Sequence, residues 1–366
     1  MLFVPVGENE GRPFGMDARK RACRLATNAG FEPSEELQPG RASMLASMAY
    51  CWDPAWLEEL SARPRSVLTL GAKPVLAHVP EGENSLAALN AFESGAPLES
   101  YETLASENAS LENKLLRKRE RPFVLPLDPS DPEPVERAAY DAAYEGVTDA
   151  LTLYIWRKPA FYLTRWAARA GLSPNFITLI GAVFCLLAFV LFWSGEYWPG
   201  VLAGFIFMVL DTVDGELARC TGASSRWGNA FDHGIGLICP PFWWWAWLHG
   251  LAIYGHPLEP VYATMVLWVI LGGYLAQRII EGLSIKRFGG MEIHVWRPLD
   301  SKFRLISARR NPNMVILTGS LLFRRPDAGL ELVAWWTLIS LIFHMVRLAQ
   351  MTERKARGQP VVSWLS

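Results

Sequence analysis

The spacing of apolar and polar positions changes near residue 150. Before it, apolar residues come in short runs cut by polar ones. Leu2–Val6 reads as a strand, Met16–Asn28 and Pro54–Ala62 as helices, and Ser66–Val79 as one or two strands broken at Gly71. Strands alternating with helices predict a small α/β domain over residues 1–120. Prolines at 122, 126, 129, 132 and 134 mark an extended linker, and Arg137–Gly146 is helical in pattern, so residues 121–150 read as a linker and a helix.

After residue 150 the apolar runs reach membrane length. Residues 154–170 mix Trp156, Phe161, Tyr162 and Trp166 with Arg157, Lys158, Arg165 and Arg169, the pattern of an amphipathic helix lying along a membrane surface. Phe176–Trp193, Pro199–Leu217, Asp232–His249, Val261–Leu283, Asn313–Phe323 and Leu330–Leu348 then predict six spans, the fifth of them short. Pro174 suits the start of the first. Pro240 and Pro241 should kink the third. Trp243, Trp244, Trp245 and Trp247 beyond them read as an interfacial aromatic belt. The predicted fold is an all-α polytopic membrane domain of about six transmembrane helices over residues 151–350, preceded by the α/β domain and followed by a tail at 351–366.

Composition agrees with this division. Hydrophobic residues make up 51% of the 366 and charged residues 19%, as expected of a membrane protein with a soluble part. Net charge is −1, so overall charge selects no partner, and no nucleic-acid partner is indicated. Local charge does set an orientation. The loops 194–198 and 250–260 hold no Lys or Arg, whereas Lys286, Arg287, Arg297, Lys302, Arg304, Arg309 and Arg310 crowd the next connection, and Arg354, Lys355 and Arg357 the tail. Arg324 and Arg325 are the exception. The positive-inside rule therefore places both termini and the α/β domain on the cytoplasmic side. Met1–Val6 is too short, and lacks the preceding basic residues, to read as a secretory signal. The five cysteines are scattered without a CxxC pair, so neither a zinc site nor a disulfide framework is expected.

The chemistry concentrates at the end of the second span. Asp211, Asp214 and Ala218 fall three and four residues apart, on one helical face. A carboxylate at that depth costs roughly 2.5–3.5 kcal/mol to insert, so a cluster of them marks a functional site. Paired carboxylates suit a hard cation such as magnesium, which keeps waters and takes phosphate oxygens as further ligands. Arg278 falls inside the fourth span with Glu281 three residues on, which predicts a buried pair.

Asp211, Asp214, Gly215, Ala218, Arg219, Gly228 and Asp232 resemble the CDP-alcohol phosphotransferase signature, D-x2-D-G-x2-A-R-x8-G-x3-D-x3-D, at the required spacing. The last position departs from it: the signature has aspartate where this chain has Gly236. The resemblance implies Mg2+ or Mn2+ held by Asp211, Asp214 and Asp232. It implies the CDP moiety on Asp214, Gly215, Ala218, Arg219 and Gly228, and acceptor phosphate on basic residues here matched to Arg278, Arg304 and Arg309. Its expected catalytic base would stand at 236; Asp232 and His233 are what this chain has nearby. The implied reaction transfers a substituted phosphate from a CDP-linked donor to an alcohol or lipid acceptor with release of CMP, on the cytoplasmic side among membrane lipids. A homodimer is implied by analogy. The departure at Gly236 carries a second reading, an impaired relative that binds metal and CDP-substrate. Some relatives carry an N-terminal nucleotidyltransferase; residues 1–120, with Gly7, Gly11 and Arg12 after the first strand, resemble at most a degenerate remnant of one.

Overall fold

The computed structural model describes every residue except 39, 83, 84, 99, 109, 115 and 225; the side chains of 85, 87, 108, 226, 227, 229–233 and 240 also lie outside the description. In chain order the elements are β1 (Leu2–Val6), α1 (Ala18–Asn28), β2 (Glu32–Pro33), β3 (Ser43–Ser47), β4 (Tyr50–Trp52), α2 (Ala55–Ser61), β5 (Ser66–Leu70), β6 (Lys73–Val79), α3 (Ser85–Ser94), β7 (Glu102–Ala105), β8 (Leu111–Asn113), β9 (Lys118–Glu120) and β10 (Val124–Pro126). Helices α4 (Glu133–Ala143), α5 (Arg157–Arg169), α6 (Pro174–Trp193), α7 (Tyr197–Thr221), α8 (Arg226–Tyr254), α9 (Pro260–Arg287), α10 (Pro298–Arg304), α11 (Arg310–Leu322) and α12 (Pro326–Ala356) follow. They form two compact units interleaved along the chain, one of residues 1–144, 161–174 and 215–225, the other of 145–160, 175–214 and 226–366.

The first unit is α/β. Its sheet has the order β2-β1-β3-β6-β5-β7. β1 runs parallel to β2 and β3, β6 antiparallel to β3 and β5, and β5 parallel to β7. β1 is buried along its whole length. Its alternating side chains serve two cores: Phe3 packs with Met44, Trp56 and Leu76, while Leu2 and Val4 pack with Leu45, Val67 and Val79. β5 and β6 form a hairpin turned at Gly71, where φ is +60° and a side chain would be strained. The proline-rich stretch is extended in part, but it is paired rather than free. Val124–Pro126 pairs antiparallel with Tyr50–Trp52, and α4 begins at Glu133. In the loop after β1, a Cβ on Gly11 would stand 2.8 Å from Leu127 Cγ, so this glycine serves packing against the segment after β10.

The second unit is helical. Among the described residues, α6, α9 and α12 are long and apolar enough to cross a membrane. The other expected spans are less plain. α7 carries Asp211, Asp214, Glu216 and Arg219 in its second half, α11 has 13 residues, and α8 includes side chains outside the description. Leu179, Val183, Leu186 and Val190 form an exposed apolar stripe on α6, and Leu332, Trp335, Ile339, Ile342 and Val346 continue the theme on α12. Apolar stripes of that length on helix surfaces fit a lipid environment. Close approach is built from small residues: a Cβ on Gly250 would lie 2.1 Å from the Phe192 carbonyl oxygen, and one on Gly273 2.6 Å from Thr337 Cγ2.

The expected aromatic belt is not what the structure shows. Trp243, Trp244 and Trp247 are buried in the helical core with Phe192, Tyr197 and Phe207. The indole N–H of Trp243 donates to the Cys185 carbonyl (3.0 Å) and that of Trp247 to the Pro326 carbonyl (3.1 Å). Residues 243 and 247 are one turn apart and share the face packed inward. Only Trp245 of the four is exposed. Pro240 and Pro241 lie within the continuous run of α8.

Candidate functional site

α7 carries the acids. In the helical unit the Asp214 carboxylate is buried and accepts a 2.5 Å hydrogen bond from the Thr178 hydroxyl, near the start of α6. Asp211, one turn earlier, is partly exposed and paired to Arg310 at the start of α11: Nη2 to Oδ2 is 2.6 Å and Nη1 to Oδ1 is 3.3 Å. Arg310 is held from two further sides, by Nε to Asn311 Oδ1 (3.2 Å) and by its guanidinium over the Phe207 ring at 4.7 Å. Gly236 on α8 opens beside this pair. A Cβ there would stand 3.6 Å from Asp211 Oδ1 and 3.9 Å from Arg310 Nη1. The sequence shows only that position 236 lacks a carboxylate; the structure shows a guanidinium beside the place it would occupy.

The last turns of α7 belong to the α/β unit. Arg219 folds back on its own helix, with Nη2 2.7 Å from buried Glu216 and the guanidinium over Gly215, where an added Cβ would meet Nη2 at 3.3 Å. Gly215 thus leaves room for Arg219, a local use that spacing alone does not reveal. The C-terminal carbonyls of the helix find donors on α1. Arg21 Nε donates to the Cys220 carbonyl (2.8 Å) and Asn28 Nδ2 to that of Gly222 (3.1 Å). A cation at a helix C-terminus is favoured by the dipole, and the donors satisfy groups that the helix leaves open. Ser224 is exposed, with its hydroxyl 3.5 Å from the Ala218 carbonyl. Gly228 lies on α8, as do the backbones of residues 232 and 233; the side chains of Asp232 and His233 lie outside the described residues, as does Ser225.

The predicted Arg278–Glu281 pair is present, with Nη2 to Oε1 at 2.7 Å. The same Glu281 oxygen is reached by Arg309 and, at 3.1 Å, by His294 Nε2. Burial pushes His294 well below the usual histidine range, so it bonds Glu281 as the neutral ring. Arg278 and Arg309 are therefore brought together, but on an internal carboxylate. Arg304, the third member of that predicted set, is buried at the end of α10. Sequence reasoning missed Glu281 as a three-partner hub and missed His294 altogether. In the α/β unit, buried Glu136 holds Arg165 (2.5 Å) and Arg169 (3.3 Å), two basic residues of the predicted surface helix.

Residues 171–291 match the family model described as CDP-alcohol phosphatidyltransferase. The chain is 35% identical over 86 residues to phosphatidylinositol phosphate synthase of Mycolicibacterium smegmatis, covering 22% of this chain and 39% of that protein. It is 34% identical over 136 residues to cholinephosphotransferase 1 of Gallus gallus, covering 33% of this chain and 38% of that one. Against archaetidylinositol phosphate synthase of Pyrococcus horikoshii it is 26% identical over 206 residues, 53% of this chain and 95% of the other. The matches thus span about two fifths of the length of the first two relatives. The matched segment contains the acids of α7, Gly236 and the Arg278–Glu281 pair. Residues 171–291 of this chain are thus similar to the CDP-alcohol phosphatidyltransferase family.

Proposed function

We propose that this chain transfers a substituted phosphate group from a CDP-linked donor to an alcohol or lipid acceptor, releasing CMP, in phospholipid or polar phosphodiester synthesis. The observation that carries the reading is a single helix, α7, that bears Asp211, Asp214, Gly215, Ala218 and Arg219 at the family spacing within the family segment. The relatives act on different alcohols by their names, so the acceptor is left as a class.

The donor set of hard oxygens on one helical face fits Mg2+ or Mn2+, which Asp211 and Asp214 would hold with Asp232. Such an ion supplies Lewis-acid neutralisation of a pyrophosphate. The chain's own residues do the rest. Thr178 fixes the Asp214 carboxylate by donating to one oxygen. Gly215 and Ala218 keep the helix surface low where the nucleotide would lie, and Arg219 brings a planar fork suited to phosphate. Arg310 must leave Asp211 for that carboxylate to ligate an ion. In this reading the membrane domain has six spans, and both termini and the acids lie on the cytoplasmic side. The protein works among membrane lipids as a homodimer, and residues 1–120 are a structural or regulatory domain.

One observation favours a second reading. Arg310 takes both oxygens of Asp211 beside Gly236, where the family's base would stand. A chain so arranged would bind a CDP-substrate but turn over slowly or not at all. Acceptor binding by Arg278 and Arg309 also requires that phosphate compete with Glu281. Metal-dependent CMP release by the purified full chain, over a panel of CDP-linked donors and alcohol acceptors, tests the proposal. Release by the chain and its loss in Asp214→Asn would support it. No release with any pair, together with no CDP-donor binding, would reject both readings.

A further inference from the structure

Near its C-terminal end, α12 borders a cleft of about 300 Å3 in the helical unit. None of its lining residues belongs to the family signature. Trp296, Arg297, Arg347, Glu353, Arg354 and Arg357 supply most of the lining. Four guanidiniums against one carboxylate make a strongly positive concavity, and the pairing inside it is uneven. Arg347 is committed to buried Asp300 through bonds of 2.5 and 2.8 Å, and Arg357 to Glu353 at 2.5 Å. Arg297 and Arg354 have no carboxylate partner among the described residues. Arg354 spends Nε on the Pro360 carbonyl (2.9 Å), a bond that leaves its positive charge uncompensated.

The cleft is also ordered before any ligand arrives. The guanidiniums of Arg297 and Arg347 rest on the Trp296 ring at 4.4 and 4.3 Å from its centroid. Asp300 also fixes Arg347 and, from the third position of its own short helix, accepts from the backbone N–H of the N-cap residue Arg297 (2.9 Å). A preformed pair of uncompensated guanidiniums matches a doubly charged anion, and planar forks match phosphate oxygens best. α12 has 31 residues and is therefore about 46 Å long, more than the ~30 Å of a bilayer core. Arg354 and Arg357 follow its last apolar stretch.

We propose that this cleft binds a phosphomonoester dianion, carried either by a lipid headgroup or by a soluble phosphorylated molecule. The inference does not depend on phosphotransfer at α7. It is tested with the full chain in phosphatidylcholine nanodiscs. One arm titrates glycerol phosphate by calorimetry; the other counts phosphatidic acid retained from doped nanodiscs. Binding in the first arm identifies a soluble source, and binding in the second alone a lipid. In whichever arm binds, Arg297→Gln with Arg354→Gln should weaken affinity by roughly tenfold or more, the loss of two charge-assisted contacts. CMP release should be unaffected. Gln359→Glu, an exposed change at the rim that leaves the core untouched, should weaken binding as well. Binding in neither arm above the phosphatidylcholine background, or equal affinity in all variants, would overturn the proposal.

Discussion

At residue scale the chemistry meets at Asp211, where Arg310 and a divalent ion compete for one carboxylate. Two like charges a few ångströms apart repel by several kcal/mol in a partly buried site. Arg310→Gln should therefore tighten Mn2+ binding by about tenfold, measured by calorimetry without any CDP-donor; unchanged affinity would show that Arg310 does not guard Asp211. From sequence, Arg310 is one of several basic residues that topology explains anyway, and its partner is 99 positions away, beyond the reach of local spacing. Asp53 makes a different prediction. Burial pushes its carboxyl up to about 6, only partly countered by the Ala55 backbone N–H and Lys118. The folded state thus holds a proton that the unfolded chain releases near pH 4. The contribution of Asp53 to stability is full below that and is lost, by about 3 kcal/mol, as pH rises through 6. Thermal unfolding of the full chain at pH 4 and 7 should show the fall, and Asp53→Asn should remove it.

At the scale of elements, apolar runs located most helices because length and hydropathy are local properties. α6, α9 and α12 contain the expected first, fourth and sixth spans, and α9 and α12 extend past the predicted ends. Which face of a helix meets lipid and which meets protein is not local. Trp243 and Trp247 look like belt residues in sequence, yet both are fully buried with their N–H groups bonded to carbonyls of other helices. Trp247→Ala should cost about 3–5 kcal/mol of stability, as loss of a buried aromatic does, while a belt residue would cost far less. A shift of that size in detergent-induced unfolding checks the assignment. The proline-rich stretch was misleading for a related reason. Prolines predict chain direction and missing donors, but the pairing of β10 with β4 depends on residues some seventy positions earlier.

For the whole molecule, the change of pattern near residue 150 was legible because a sheet alternates and a membrane helix does not. What it concealed is that the α/β unit also takes in residues 161–174 and 215–225, the latter being the end of the motif helix. Arg21 and Asn28 bind carbonyls there, so residues 1–120 contribute directly to the setting of the signature. Seven of the eight positions of the signature could be read directly, because residues at fixed spacing are a local pattern. The consequence of Gly236 could not, since it depends on what stands opposite in space. The most direct test of the central claim compares metal-dependent CMP release by the chain as it stands, Gly236→Asp and Asp214→Asn with one CDP-linked donor and its acceptor. The account predicts release by the natural chain, at least as much by Gly236→Asp, and none by Asp214→Asn. Release that persists in Asp214→Asn would contradict it.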